Sequence, residues 1–142
     1  VHLPHGMSYP VAGRVKEFLP KDYPKDHSMI PHGMSVILNA PAVFRFTAPS
    51  NPKRHLHAAK LLGADIRDAS LEDAGEILSD SIIALIKKIG IPNGLNGVGY
   101  NHNDVDDLVE GTMPQQRVIG LSPRPVNKED MRNIFIDSMK LW

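Results

Sequence analysis

No cysteine occurs in the 142 residues, which excludes disulfides, thiolate metal sites and a cysteine nucleophile. Any chemistry must come from His, Asp, Glu, Ser, Tyr or Lys. Net charge is missing too: 16 Lys plus Arg balance 16 Asp plus Glu, so nothing draws the chain as a whole to nucleic acid or to an anionic membrane. No apolar run reaches the roughly 18 residues of a spanning helix, and residues 1–6 carry two histidines and a proline where a signal or transit pattern would sit. Neither nucleic acid nor a membrane is an expected partner. Walker patterns, a Gly-x-Ser-x-Gly elbow and paired alternating runs around a tight glycine turn are also lacking. The chain starts on Val1, inside what reads as a motif and without an initiator methionine, so an upstream segment is expected.

The remainder is an ordinary globular composition, 42% apolar and 23% charged. A single domain of this length buries about 68% of the surface that its unfolded chain exposes. Charge is unevenly spread: residues 1–69 hold 9 Lys plus Arg against 5 Asp plus Glu, and residues 70–142 hold 7 against 11. Six of the seven histidines fall in the first half, at positions 2, 5, 27, 32, 55 and 57. Chemistry is therefore expected near the N-terminal end.

Pro20 and Pro24, set among Lys16, Lys21, Asp22, Lys25 and Asp26, break any element between Gly13 and Ser28, which reads as a long exposed loop. Residues 34–44 are apolar nearly all round and predict a buried helix distorted at Pro41, with a buried strand as the competing reading. Leu56, Ala59 and Leu62 predict a short helix that starts at Pro52 and closes at Gly63. Ser70 with Asp73 resembles a capping box, and Leu71, Ala74, Leu78, Ile82, Leu85 and Ile89 form the buried stripe expected of a long helix ending at Gly90. Asn103 is the expected cap of a helix burying Leu108 and Val109, with Asp104, Asp106 and Asp107 in its first turn. A last helix, capped by Asn127, places Met131, Ile134, Phe135, Met139 and Trp142 on one face. The class is all-α, with five or six helices.

The glycine-rich stretch from Asn93 to Gly99 follows a helix rather than a strand, so it reads as a connecting loop and not as a nucleotide cradle. Asp104, Asp106, Asp107 and Glu110 lack the glycine and closing glutamate of a calcium loop and read as a solvated helix start. Asp22 and Asp26 read as solvated charges, and His55 and His57, two apart, as surface residues. From spacing alone a metal held by His2, His5 or His32 competes with the commoner surface and capping roles of histidine.

The words around two of these histidines say more. His5-Gly6-Met7-Ser8-Tyr9-Pro10 and Pro31-His32-Gly33-Met34-Ser35-Val36 resemble the two histidine motifs of the iron-containing (group III) alcohol dehydrogenases. Gly90-Ile91-Pro92, Leu95, Gly97, Asp104, Leu108, Pro123-Arg124-Pro125 and Glu129-Asp130-Met131 follow in the order of that family. Within it the wording is nearest to the mitochondrial hydroxyacid-oxoacid transhydrogenases, through the first motif, the insert with Asp22-Tyr23-Pro24 and Asp26-His27, and Asn39 to Ala48. The resemblance implies that residues 1–142 are the all-helical C-terminal metal-binding domain of a two-domain, dehydroquinate synthase-like enzyme, whose nucleotide-binding α/β half is absent.

Carried over residue by residue, the resemblance makes His5 and His32 metal ligands, with an Asp and a His ligand upstream of this chain. It implies a divalent metal, Fe2+ or Zn2+, and a tightly bound NAD(H) held mainly by the missing half, with no cofactor-binding residue here. The implied reaction oxidises 4-hydroxybutyrate to succinic semialdehyde while reducing 2-oxoglutarate to 2-hydroxyglutarate. Tyr9 stands where many family members carry a histidine linked to proton transfer; a tyrosine ordinarily titrates near about 10, so that role changes here. His2 and His27 are not carried over as ligands. The implied setting is mitochondrial, with small hydroxyacids and oxoacids and the missing half as partners and self-association through the exposed inner face. The chain alone is expected to be inactive. The alternatives are another metal-dependent NAD(P) alcohol dehydrogenase of the family, or a non-catalytic helical interaction module.

Overall fold

Leu3, Met7 and Val11 recur every fourth residue and lie on one side of a helix, α1 (Leu3–Gly13), where all three are fully buried. The computed structural model describes residues 2–142; Val1, the first residue of the expected domain, lies outside them. The eight α-helices are α1, α2 (His32–Ile37), α3 (Ala40–Thr47), α4 (Pro52–Leu61), α5 (Ala74–Lys88), α6 (Val105–Thr112), α7 (Gln116–Ile119) and α8 (Lys128–Met139). Short 3₁₀ turns precede α4 and α6 and sit in the glycine-rich loop. Among the described residues there is no strand, and no helix is long and apolar enough to cross a membrane. Among the described residues the helix count exceeds the five or six expected because the stretch over 34–44 divides into α2 and α3, and because α1 and the four-residue α7 are not foreseen from periodicity.

The main core joins α1, α3, α6 and α8 through Leu3, Met7, Val43, Leu108 and Phe135. Each large side chain so buried contributes roughly 1.5–3 kcal/mol. A second layer packs α5 against α4, with Ala59 meeting Leu78, Ile82 and Ile86.

Three expected elements change in detail. The apolar stretch over 34–44 is two helices rather than one bent helix: the chain turns at Leu38 and Asn39, and Pro41 sits in the first turn of α3, where its missing N–H is no loss. The expected stripe of α5 is only partly buried. Leu78 and Ile82 are inside with Ile83 and Ile86, but Leu71, Leu85 and Ile89 are 49%, 44% and 62% exposed. At 15 residues α5 outruns its partners α3 and α4, of 8 and 10, so side chains at its ends have nothing to pack on. Leu62 and Trp142 likewise lie past the ends of α4 and α8 and stay exposed.

Caps account for the remaining boundaries. Asn51 accepts from the Arg54 N–H at the start of α4, and Asn127 with Asp130 forms a reciprocal capping box on α8. Asn101 with Asp104, not Asn103, makes the second capping box, one 3₁₀ turn ahead of α6. Ser70 and Asp73 do pair as expected, just before α5.

The glycine-rich stretch is the connecting loop expected, and it clamps the end of the chain. Asn93 Oδ1 accepts from the N–H groups of Leu141 (2.8 Å) and Trp142 (3.1 Å). Gly94 has φ +64, and a Cβ there would meet the Met139 carbonyl oxygen at 2.5 Å, so only glycine fits. The acids of α6 are paired rather than merely solvated. Asp104 meets Lys16 (2.8 Å), Asp107 meets Arg14 (2.9 Å), Glu110 meets Lys128 (2.5 Å), and Asp106 meets Arg132. Exposed pairs contribute little energy singly, but those of Arg14 and Lys16 bring the basic first half against the acidic second, while those of Lys128 and Arg132 join α8 to α6.

Tyr100 ties this region to α1 by donating its hydroxyl to the Val11 carbonyl at 2.7 Å in the interior. Burial, then the negative charges of Asp104 and Asp107, push its phenol up to about 12. The unfolded chain would release that proton near about 10, so the stability Tyr100 contributes is complete below pH 10 and is lost as pH rises towards 12. Tyr100→Phe should therefore lower stability by about 1–2 kcal/mol at neutral pH and flatten the fall between pH 10 and 12. Urea unfolding at a series of pH values reads both effects; an unchanged alkaline slope would contradict the assignment.

Candidate metal centre

Burial of Leu3, Met7 and Val11 leaves His5 and Tyr9, four residues apart, together on the outer side of α1. His32 opens α2, and the packing of α2 on α1 brings its ring to the His5 ring, with centroids 4.8 Å apart and planes at 84°. Residues 27 apart in sequence thus become neighbours. Tyr9 Oη lies 3.1 Å from His5 Nε2, with its ring edge-on to the imidazole. Which of the two donates follows the His5 tautomer.

Each histidine is gripped in the same way. Ser8 donates its hydroxyl to the His5 carbonyl at 2.7 Å, and Ser35 donates to the His32 carbonyl at 2.8 Å; both serines are buried. The tetrapeptide His-Gly-Met-Ser, present twice, therefore builds one local geometry twice, a serine bonded back one turn. Gly6 adds a close approach. A Cβ on it would overlap the γ2-methyl of Ile119, so its hydrogen lets α1 seat on α7.

Two imidazoles on one ion, each nitrogen about 2.0–2.1 Å away, hold their ring centres about 5 Å apart. The His5–His32 spacing fits that arrangement, and neutral imidazole suits iron or zinc alike. Among the described residues no third His, Asp or Glu joins them, so the chain itself brings two imidazole donors together here.

The other histidines are elsewhere. His27 is exposed in the loop before α2, with Nδ1 3.0 Å from Asp26 Oδ1, and Asp22 is solvated as expected. His57 and His102 are on the surface. His55 is not the free surface residue expected. It is half-buried, with Nδ1 2.9 Å from the Asn51 carbonyl and Nε2 3.0 Å from Thr47 Oγ1. His2, also half-buried, stands edge-on to Phe44 at 6.3 Å, and burial lowers its pKa.

Residues 27–139 match the family model for the C-terminal part of the Fe-containing alcohol dehydrogenases, and the chain belongs to that family. His32 falls inside the match and His5 before it. The whole chain is 51% identical to the mitochondrial hydroxyacid-oxoacid transhydrogenase of Xenopus tropicalis, of which it covers 31%. It is 49% identical to the human protein of that name, of which it covers 30%. Among solved structures it is similar to a 1,3-propanediol oxidoreductase, with TM-score 0.79 and 25% identity over 97% of this chain and 32% of that one. The alcohol dehydrogenase from Oenococcus oeni has the same fold, with TM-score 0.81 and 22% identity over 97% of this chain and 32% of that one. The chain thus spans about a third of the length of the proteins it matches.

Two substitutions check the geometry. Gly6→Ala should cost about 1–3 kcal/mol in urea unfolding, because the β-branched Ile119 cannot swing away; a neutral effect would contradict the close approach. Tyr9→Phe, at a side chain 39% exposed, should change stability by less than about 1 kcal/mol yet shift the His5 ring nitrogen signals in NMR. Unshifted signals would mean the contact is not made in solution.

Proposed function

We propose that residues 1–142 form the metal-binding helical part of a hydroxyacid-oxoacid transhydrogenase. That enzyme moves a hydride from 4-hydroxybutyrate to 2-oxoglutarate, giving succinic semialdehyde and 2-hydroxyglutarate. The observation that carries this reading is the meeting of His5 and His32 at 4.8 Å. The roughly 50% identity to proteins named for that activity supports the choice of substrates.

In this account His5 Nε2 or Nδ1 and a ring nitrogen of His32 present lone pairs to one divalent ion, Fe2+ or Zn2+, and the remaining ligands come from the dinucleotide-binding half. When bound, such an ion supplies Lewis acidity that makes a substrate hydroxyl more acidic. The Ser8 and Ser35 hydroxyls hold the two backbones so that the rings keep their relative placement. Tyr9 holds a proton on Oη at the edge of the pair, within reach of His5. NAD(H), the hydride carrier, is held mainly by the other half, and no residue of this chain is assigned to it. The isolated chain is inactive, and the intact enzyme is mitochondrial and acts on small hydroxyacids and oxoacids. Self-association follows from the surface that the other half would cover.

Replacing His5 or His32 with Ala in the whole polypeptide should lower turnover more than about 100-fold and reduce bound metal measured by elemental analysis. Full turnover and metal content in both variants would refute the assignment.

A further inference from the structure

A separate cavity of about 440 Å³ opens where the start of α1 meets α3 and α4. His2, Arg54, His55 and Thr47 form its polar wall, and Phe44 and Leu78 are among its apolar lining. No Asp or Glu lines it. The Arg54 guanidinium, permanently charged and with no carboxylate in the concavity, leaves a positive potential that an anion would neutralise, and the two imidazoles set further polar groups beside it. Arg14, Arg45, Arg67 and Arg132 each meet a carboxylate, whereas the Arg54 guanidinium, like those of Arg117 and Arg124, meets none among the described residues.

The groups in the cavity are also held ready. Phe44 stands between the two imidazoles, edge-on to His2 at 6.3 Å and to His55 at 6.0 Å. His2 Nδ1 is buried with no hydrogen-bond partner among the described residues, so an acceptor or donor is wanting at that atom. His55 donates from Nδ1 to the Asn51 carbonyl in its neutral form, which turns Nε2 into the acceptor for the Thr47 hydroxyl. Burial depresses the His2 pKa, and the neighbouring His55 acts the same way; an anion beside it would oppose both.

We infer that this cavity is a carboxylate-binding site for a small organic acid. The forked Arg54 donors pair with the carboxylate oxygens, His2 Nδ1 reaches the same group, and the methylene chain lies along Phe44 and Leu78. His2 precedes His5 by three residues, about 4.5 Å along the helix, so the site lies one turn of α1 from the proposed metal centre. Its choice of a hydroxyacid or oxoacid as ligand rests on the transhydrogenase reading; its preference for a carboxylate does not.

The test uses the whole polypeptide with metal and cofactor bound, and succinate as the probe. Arg54 is exposed, so its replacement does not threaten the fold. Arg54→Met should weaken succinate binding and raise the KM for 4-hydroxybutyrate by about 10- to 100-fold, with kcat and the affinity for uncharged butane-1,4-diol within about twofold. Arg54→Lys should recover part of the loss. Succinate should also move the His2 ring signals in NMR. Unchanged succinate affinity and KM in Arg54→Met, with hydroxyacid turnover intact, would overturn the carboxylate site and leave the transhydrogenase reading in place. An enzyme that ignores hydroxyacids, while succinate still moves the His2 signals and binds through Arg54, would do the reverse.

Discussion

The seating of α1 on its neighbours is the constraint on which the rest of the molecule depends. Leu3, Met7 and Val11 fix the rotation of that helix by filling the core, and Gly6 sets its depth against Ile119. Once rotation and depth are fixed, His5 and Tyr9 have only one direction to point, towards the start of α2, where His32 stands. Tyr100 and the ion pairs of Arg14 and Lys16 with α6 secure the other end of α1 and its exit. His5 and Tyr9, on the outer side of the helix, belong to the proposed metal site, while the hydrophobic stripe beneath them carries the stability.

The same arrangement explains the lopsided distribution of charge and histidine. Four acids of the second half sit in or just before α6, where bases from both halves meet them. Among the described residues no Asp or Glu joins His5 and His32, and none lines the cavity beside His2 and His55. A site that presents neutral nitrogen donors, and a cavity that presents cationic ones, both need such surroundings.

Much of this was legible beforehand, and the failures have physical causes. Asn127 and Asn51 mark the starts of α8 and α4 through local hydrogen bonds, so local sequence was enough. α5 ends where Gly90 predicts, but the burial of Leu85 and Ile89 depends on how far α3 and α4 extend, which no periodicity encodes. The break at Leu38 and Asn39 was hidden because apolar residues continue across it. His5 and His32 could be singled out from the repeated wording around them, although their 27-residue separation carried no information. His2, Arg54 and His55 could not, since they come together only through the packing of α1 against α3 and α4, and spacing alone made His55 a surface residue.

The central claim is that α1 and α2 hold His5 and His32 as two ligands of one divalent ion. Anomalous diffraction at the metal absorption edge, from crystals of the whole metal-loaded polypeptide, tests it most directly. The account requires a single peak about 2.0–2.2 Å from a ring nitrogen of each histidine. A peak bonded to neither, or bonded to one while the other ring stands apart, would contradict it.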